Sequence, residues 1–442
     1  MSFPRYPSYK DSGVEWLGAV PAHWELKRFK RIFKERETRS VLGDEMLLSV
    51  SAYTGVSPRS EVIDDGDHLS RAESLVGYKV CVKDDLVMNI MLAWNRGLAF
   101  TQHDGIVSPA YCVFSVVDNS LPRFLNYLVR SDEYTLYFKA FSAGVIDSRL
   151  RIYPDTFGRL VCSVPPPAEQ AAIAAFLDGE TAKIDELVLE QQRLIALLRE
   201  KRQAVISRAV TKGLDPDVEM KPSGIEWLGQ VPAHWDVKPM RMIANVVRGA
   251  SPRPAGDPRY FGGDFIPWVT VAEITKDDDV YLAETESFLT KDGSTHSNIF
   301  RRGTLVYSNS GATLGVPKIL QIDACANDGV VAFLNLDGQV QAEFLYHYLA
   351  SITDNIREKV RQGSGQPNLN TDIVKDLRFG LPPIEEQERI VSRISELANE
   401  FGALAAEAQR AIELLQERRN ALISGAVTGQ INVVGLIESE AA

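Results

Sequence analysis

Two histidines stand in a repeated setting where they could carry acid–base or metal chemistry. His23 and His234 each lie in the same string, Val-Pro-Ala-His-Trp. An imidazole can act as a general base or as a metal ligand. No second histidine, cysteine or carboxylate recurs beside them at ligand spacing. This favours a role in structural packing and leaves the chemical role as the alternative.

Other motifs with chemical potential are incomplete. Gly363-Ser364-Gly365 lacks the lysine of a phosphate-binding loop. The aspartates of 64–67 lack the twelfth-position glutamate of a calcium loop. Leu381-Pro382-Pro383-Ile384 lacks the polar first and aromatic last residue that an amino-methyltransferase would need around its extruded base. The four cysteines form no CxxC pair. We therefore expect no catalytic residue, no metal site and no cofactor bound by this chain.

The elements that would position any functional residue occur twice. Residues 12–24 read SGVEWLGAVPAHW and residues 223–235 read SGIEWLGQVPAHW, identical at eleven of thirteen positions. A second pair starts with VPPPAEQAAI at Val164 and LPPIEEQERI at Leu381. Between these repeated pieces lie segments with little mutual similarity. Such internal repeats define the architecture before any other signal.

The second repeated piece predicts a long helix in each copy. Apolar residues recur at the alternating four- and three-residue spacing of a coiled coil, in the same register in both copies. The seam residues are Ile173, Leu177, Ile184, Leu187, Leu194, Leu198, Ile390, Ile394, Leu397, Phe401, Leu404 and Leu415. Rods of about 40 residues would be about 60 Å long. We expect the two rods to pair antiparallel about a pseudo-two-fold axis. The alternative is two core helices of separate domains.

The dissimilar segments predict α+β globules. Strand-like runs at 78–82, 85–94 and 108–117 precede a helical run at 121–141. In the second globule, strand-like runs at 265–271, 304–308 and 330–336 precede a helical run at 342–361. The predicted segments are 1–24 (connector), 25–163 (globule), 164–222 (helical), 223–235 (connector), 236–380 (globule) and 381–442 (helical).

Composition and charge are those of a folded protein with an acidic balance. The chain has 442 residues, 45% hydrophobic and 24% charged, with a net charge of −11. Most of this negative charge lies in the two helical segments, while both globules are near neutral. A basic cluster extends from Lys27 to Arg39, either as a solvated face or as phosphate contacts. The absence of a signal peptide or an apolar run long enough to span a bilayer predicts a cytoplasmic protein.

The repeated motifs resemble those of the specificity subunit of type I restriction–modification systems. The resemblance covers nearly the whole chain and is carried by the doubled GxEWLGxVPAHW, the doubled PPxxEQxxI and the doubled Ala-Val-Thr at 209–211 and 426–428. Within the globules, 85–87, 93–97, 105–109 and 303–315 resemble pieces of that family's target recognition domains.

The resemblance implies that this chain is a non-catalytic DNA-reading subunit. Each globule would read one half of a split target in double-stranded DNA, and the dissimilar globules would make that target asymmetric. The antiparallel helices would set the spacer and bind two modification subunits, which carry S-adenosylmethionine and methylate adenine. A restriction subunit would use ATP and magnesium to translocate and cut DNA.

The candidate DNA-contacting residues are side chains that can pair with bases or phosphates and that lie in predicted loops near glycines. In the first globule they are Trp94, Asn95, Arg96, Arg149 and Arg151. In the second they are Arg253, Arg259, Tyr260, Asn309, Ser310, Lys318, Gln366 and Asn368. Each could instead be a turn residue or a core anchor. Two rival functions are a self-sufficient modification–restriction enzyme and a scaffold that joins two protein-binding globules.

Overall fold

A computed structural model describes residues 3–52, 54–61, 74–311, 313–361, 369–434 and 436. The chain divides into two compact units. Unit 1 comprises Met1–Gln192 and Gln409–Ala442, and unit 2 comprises Arg193–Ala408. Both boundaries fall inside long helices, so each unit contains part of both helices.

Unit 1 begins with strands and ends in the first long helix, which continues into unit 2. Its strands are β1 (Tyr9–Asp11), β2 (Ala19–Pro21), β3 (Glu25–Arg28), β4 (Phe33–Glu35), β5 (Leu48–Ser51), β6 (Gly55–Pro58), β7 (Lys79–Cys81), β8 (Leu86–Asn89), β9 (Leu98–Phe100), β10 (Gly105–Val107), β11 (Tyr111–Val116) and β12 (Val161–Val164). Its helices are α1 (Phe29–Ile32), α2 (Pro122–Arg130), α3 (Asp132–Ala140), α4 (Pro154–Arg159) and α5 (Pro167–Lys212).

Unit 2 follows the same sequence of a connector, a mixed globule and a long helix, and the last part of that helix belongs to unit 1. Its strands are β13 (Met220–Pro222), β14 (Gln230–Pro232), β15 (Asp236–Pro239), β16 (Asn245–Arg248), β17 (Phe261–Val269), β18 (Tyr281–Leu282), β19 (Phe288–Leu289), β20 (Ile299–Phe300), β21 (Leu305–Ser308), β22 (Pro317–Leu320), β23 (Ala324–Ala326), β24 (Val330–Leu334) and β25 (Arg378–Leu381). Its helices are α6 (Val271–Ile274), α7 (Lys291–Thr295), α8 (Ala342–Ser351), α9 (Thr353–Arg361), α10 (Thr371–Asp376) and α11 (Ile384–Val427).

The largest sheet of unit 1 has the order β4-β11-β8-β9, and that of unit 2 has the order β16-β24-β21-β22-β18. In unit 1 the aromatic rings of Phe29 and Phe157 stack at 4.7 Å between centroids in the core. The strands that enter and leave each globule pair with each other, β3 with β12 and β15 with β25, both antiparallel. Each globule therefore receives and returns the chain at one place, beside the start of a long helix.

The predicted strand at 85–94 is shorter in the structure. β8 ends at Asn89, and residues 93–95 form a 3₁₀ turn. The Asn89 side chain accepts a hydrogen bond from the Met91 backbone N–H at 3.0 Å, and its carbonyl accepts one from the Leu92 N–H at 3.0 Å. Asparagine favours such turns because its side chain competes for the backbone two residues on. The apolar run 90–93 therefore leaves the sheet.

Each unit packs the beginning of one long helix with the end of the other. In unit 1, Ile173, Leu177 and Ile184 share a core with Leu422 and Val427. In unit 2, Ile390 and Ile394 of α11 share a core with residues 206, 209 and 210 of α5. Asp185 and Arg419 also form an ion pair at 3.3 Å within unit 1. α5 fits the coiled-coil linker that the sequence predicts.

The helix seam is buried near the helix starts and exposed in the middle. Ile173, Leu177, Ile184, Ile390, Ile394 and Leu397 are buried. Leu198, Phe401 and Leu415 are partly buried. Leu187, Leu194 and Leu404 are 44%, 42% and 49% exposed. Seam residues near the helix starts are therefore covered, whereas Leu187, Leu194 and Leu404 are each exposed.

Candidate nucleic-acid interface and its supporting contacts

A buried carboxylate at the start of α5 holds the first connector in place. The Glu169 side chain accepts hydrogen bonds from the Trp24 indole at 3.0 Å and from the Tyr6 hydroxyl at 2.5 Å. The His23 Nε2 lies 2.8 Å from the second oxygen of Glu169. Trp24 is completely buried. The connector histidine thus has a structural partner 146 residues away in the chain.

The same contacts recur at the start of α11. The Trp235 indole donates to Glu386 at 3.2 Å, and the His234 Nε2 lies 2.7 Å from the other oxygen of Glu386. Gly213, which follows α5 with a φ of +78°, lies against this site. A Cβ added there would be 3.2 Å from the Glu386 oxygen. The repeated Glu and His-Trp residues therefore act together in both units.

The glutamine after each of these glutamates attaches the globule to the helix. The Gln170 side chain accepts from the Leu121 N–H at 2.7 Å, just before α2. The Gln387 side chain accepts from the Gln341 N–H at 2.8 Å, just before α8. Both glutamines also donate to a proline carbonyl, of Pro165 and Pro382. The sequence shows the spacing of this motif but not its partners, which local patterns cannot reveal.

The first group of candidate DNA contacts lies in the turn 91–96 of unit 1. Trp94 is partly buried, donates to the Met91 carbonyl at 2.8 Å, and has the Lys139 ammonium 5.0 Å from its ring centroid. Arg96 has a φ of +59° and pairs with Asp132. Asn95 between them is exposed. Trp94 and Arg96 therefore have structural partners, whereas Asn95 is presented to solvent.

The second group lies in the loop 143–151, which adjoins the first. The backbone N–H of Ile152 donates to the carbonyl of Ile90 at 3.0 Å, which joins the end of this loop to the start of the turn 91–96. Arg149 and Arg151 are exposed. Within the described residues, neither guanidinium has a carboxylate partner. The fold therefore brings the five unit 1 candidates into two adjacent segments.

In unit 2, the arginine candidates are exposed but paired. Arg253 lies 3.3 Å from Asp328, and Arg259 makes a two-pronged contact with Asp257 whose shortest distance is 2.7 Å. The guanidinium of Arg259 also lies 5.3 Å from the ring centroid of Tyr260. Hydrogen bonds from the Arg259 side chain lower the pKa of the Asp257 carboxyl. These arginines would have to exchange a carboxylate for DNA.

The remaining unit 2 candidates differ in accessibility. Lys318 is 1% exposed, and its ammonium donates to the Asp277 carbonyl at 3.1 Å and to the Asp277 carboxylate. Because this ammonium is enclosed by its own partners, the fold gives Lys318 a structural role and removes it from the candidate surface. Asn309 is also buried, while Ser310 beside it is partly exposed. Gln366 and Asn368 lie outside the described residues, as do 64–67 and 363–365.

The basic cluster from Lys27 to Arg39 is divided between pairing and exposure. Lys27 lies 3.1 Å from Asp118, Arg36 lies 2.7 Å from Asp85, and Arg39 donates to the Gly77 carbonyl. The other four basic residues are exposed: Arg28, Lys30, Arg31 and Lys34. Three of the seven basic residues are therefore engaged in contacts with other parts of unit 1, and four are exposed.

All four cysteines are buried and free. Burial raises the pKa of Cys81 to about 12 and that of Cys112 to about 11. A thiol is a weak nucleophile until it ionises.

Among the described residues, no group of histidines, cysteines and carboxylates is arranged to hold a metal, and no helix is long and apolar enough to cross a membrane.

Comparisons with known proteins point to one family. Residues 232–414 match the family described as type I restriction modification DNA specificity domain. The MjaVIII type I specificity subunit of Methanocaldococcus jannaschii is 22% identical over 94% of this chain and 95% of its own length. The MjaIX specificity subunit of the same organism is 29% identical, over 38% of this chain and 39% of its own length. The EcoKI specificity subunit of Escherichia coli is 22% identical, over 74% and 68%.

Solved structures show the same fold. A chain from a study of complex assembly and conformational transition in the type I R-M system superposes with a TM-score of 0.68 over 92% of this chain and 98% of that one, at 16% identity. The HsdS subunit of Thermoanaerobacter tengcongensis superposes with a TM-score of 0.53 over 93% and 98%, at 17% identity. This chain is thus similar to type I restriction–modification specificity subunits, and its residues 232–414 match the DNA specificity domain of that family.

Proposed function

We propose that this chain is the non-catalytic, sequence-reading subunit of a type I restriction–modification complex in the cytoplasm. Each globule reads one half of an asymmetric, bipartite target in double-stranded DNA. The observation that carries the proposal is that the same Glu-Gln pair, Glu169-Gln170 and Glu386-Gln387, attaches a connector and one of two dissimilar globules to the start of each long helix. Repeated connectors and helices that carry two dissimilar globules are suited to recognising two different DNA sequences.

The two long helices are also suited to holding two half-sites at a fixed distance. We propose that α5 and α11 form an antiparallel coiled coil with pseudo-two-fold symmetry and that it sets the unread spacer. Support comes from each unit, where the start of one long helix shares a core with the end of the other. The segments 1–24, 25–163, 164–222, 223–235, 236–380 and 381–442 would then be connector, reader and helical region in turn.

Partner subunits would supply the chemistry. Two modification subunits, with S-adenosylmethionine, would bind the helical region, and a restriction subunit would use ATP and magnesium. Leu187 of unit 1 and Leu194 and Leu404 of unit 2 are each exposed, and apolar side chains of this kind are available to a protein partner of the helical region. The negative balance of the helical segments also suits a protein partner better than DNA.

Single-molecule sequencing of modified bases in genomic DNA tests the proposal. Cells with and without this gene are compared while the modification subunit is present and active. We expect a split, asymmetric motif with methyladenine in both halves, which disappears on deletion. If no motif changes, sequence specificity lies elsewhere and the scaffold function is favoured. Turnover of S-adenosylmethionine by the purified chain alone with DNA would instead favour the enzyme.

A further inference from the structure

The loop between α3 and α4 is closed at its base by pairing of its own backbone. Ala143 and Arg151 pair through two backbone hydrogen bonds, of 2.8 and 3.0 Å, that close its base. Lys139 forms an ion pair with Asp147 at 2.8 Å. At Gly144 an added Cβ would lie 2.6 Å from the carbonyl oxygen of Arg149, so the two sides of the loop are in close contact. The loop is therefore held by its own backbone.

Its apolar residues point in two directions. Leu150 and Ile152 at the base are buried in unit 1. Val145 and Ile146 at the tip are 98% and 53% exposed. Neither of these two adjacent β-branched side chains is among the core residues of unit 1. Because desolvating such side chains is favourable, the tip is suited to contact a partner.

The charges beside the tip indicate the kind of partner. Arg149 and Arg151 are exposed on the same loop and have no carboxylate partner within the described part of unit 1. The one carboxylate of the loop, Asp147, is already paired with Lys139. Unpaired arginines attract phosphates, and apolar side chains contact thymine methyl groups and base edges in a groove. This combination is complementary to DNA.

We propose that the loop 143–151 is the groove-entering loop of unit 1: Val145 and Ile146 contact bases of its half-site, and Arg149 and Arg151 contact the flanking phosphates. This inference rests on the proposed function and adds two apolar residues to the set of candidate contacts. The backbone pairing at the base restricts the loop, and such a restriction reduces the conformational freedom lost on binding.

The test uses the full chain assembled with its modification subunits and duplexes that carry the target identified by sequencing. Two further duplexes each have one half-site scrambled. Fluorescence anisotropy gives the affinities over a range of salt concentrations. The variants are V145A/I146A and R149A/R151A. Val117→Ala is the control for an exposed valine (53% exposed) of the same unit, and R5A/K83A is the control for removing two exposed cations.

Base and phosphate contacts predict different results. We expect V145A/I146A to bind the target about tenfold more weakly, to bind non-target DNA within about twofold of wild type, and to lose discrimination at one half-site only. We expect R149A/R151A to weaken binding to both kinds of DNA and to lower the slope of log K against log salt by about 1.8.

Three results would overturn the proposal. If V145A/I146A behaves like Val117→Ala while the wild-type complex prefers the target, the loop assignment is wrong and the proposed function stands. If V145A/I146A fails to assemble with the modification subunits in size-exclusion chromatography, the tip is a protein contact. If the wild-type complex has no preference for the target, the proposed function fails, and the loop assignment fails with it.

Discussion

At the residue scale, the contacts with the largest consequences are the two glutamates at the helix starts. Glu169 accepts bonds from residues 163 and 145 positions away, Tyr6 and Trp24. Burying a charged group is favourable only when its partners satisfy it. The connector and the helix are therefore interdependent: the Trp24 indole needs Glu169 as its acceptor, and the Glu169 carboxylate takes its partners Tyr6, His23 and Trp24 from the connector.

We expect Glu169→Ala to destabilise unit 1 by about 1–3 kcal/mol, because it leaves the buried Trp24 indole without an acceptor. Glu169→Gln should cost less, since its carbonyl oxygen can still accept from the indole. Chemical denaturation followed by tryptophan fluorescence measures the change. Glu190→Ala, at an exposed position of the same helix, is the control. Equal effects at positions 169 and 190 would contradict the structural role.

His347 makes unit 2 sensitive to acid. Burial, assisted by Arg202, lowers the pKa of His347 to about 4. The unfolded chain therefore binds a proton near pH 6.5 that the folded unit does not accept until about pH 4. Stability should fall as the pH decreases across this window, by at most about 1.4 kcal/mol per pH unit from this residue. Denaturation of wild type and His347→Gln at pH 7.5 and pH 5 measures it. The same pH dependence in both proteins would exclude His347 as the cause.

At the element scale, the positions of the long helices could be predicted from the sequence. The extent of a strand and the burial of a lysine in the globules could not. The seam repeats in one register in both copies, and prolines precede both starts, so α5 and α11 could be located from the sequence. The extent of β8 could not, because the turn at Asn89 interrupts an apolar run that alternation alone reads as strand. Burial of Lys318 was equally hidden, since its partners Asp277 and Asp279 are about 40 residues away.

The seam should contribute unequally to stability along its length. Leu177→Ala removes a fully buried side chain and should cost about 2–5 kcal/mol. Leu187→Ala removes an exposed one and should change stability by no more than about 0.5 kcal/mol. Denaturant midpoints of the two variants make the comparison. A large cost at position 187 in the isolated chain would show that the centre of the seam is covered.

The exposed centre should matter once partners bind. If the helical region binds the modification subunit as proposed, the double variant L187D/L404D should fold normally and lose most of that association, because burying an unpaired charge against a partner is costly. Leu136→Asp, on the exposed face of α3, is the matched control. Co-purification at equal expression measures the association. Undiminished assembly of L187D/L404D would place the partner on another surface.

At the scale of the whole molecule, the proposal that α5 and α11 set the spacer between the half-sites makes a geometric prediction. Seven residues inserted at the middle of both long helices, after Gln192 and after Ala408, keep the seam in register. They add about 10.5 Å to each rod, at about 1.5 Å per residue. The methylated motif should keep both half-sites and gain about three base pairs of spacer, at about 3.4 Å per base pair. Sequencing of modified bases measures the spacer length. An unchanged spacer would show that the helices do not set it.

The division of the chain into units sets the order in which it can be completed during synthesis. Unit 2 is one continuous stretch, Arg193–Ala408, so its residues emerge from the ribosome in succession with no part of unit 1 between them. The core of unit 1 needs Leu422, Val427 and Val433, and the backbone of Asn432 binds that of Pro4 at 2.9 Å. Unit 1 contains residues made before unit 2, yet its core can close only after residues that follow unit 2 have been made. A ribosome that stops after residue 408 therefore leaves an unsealed apolar surface for chaperones and proteases to detect.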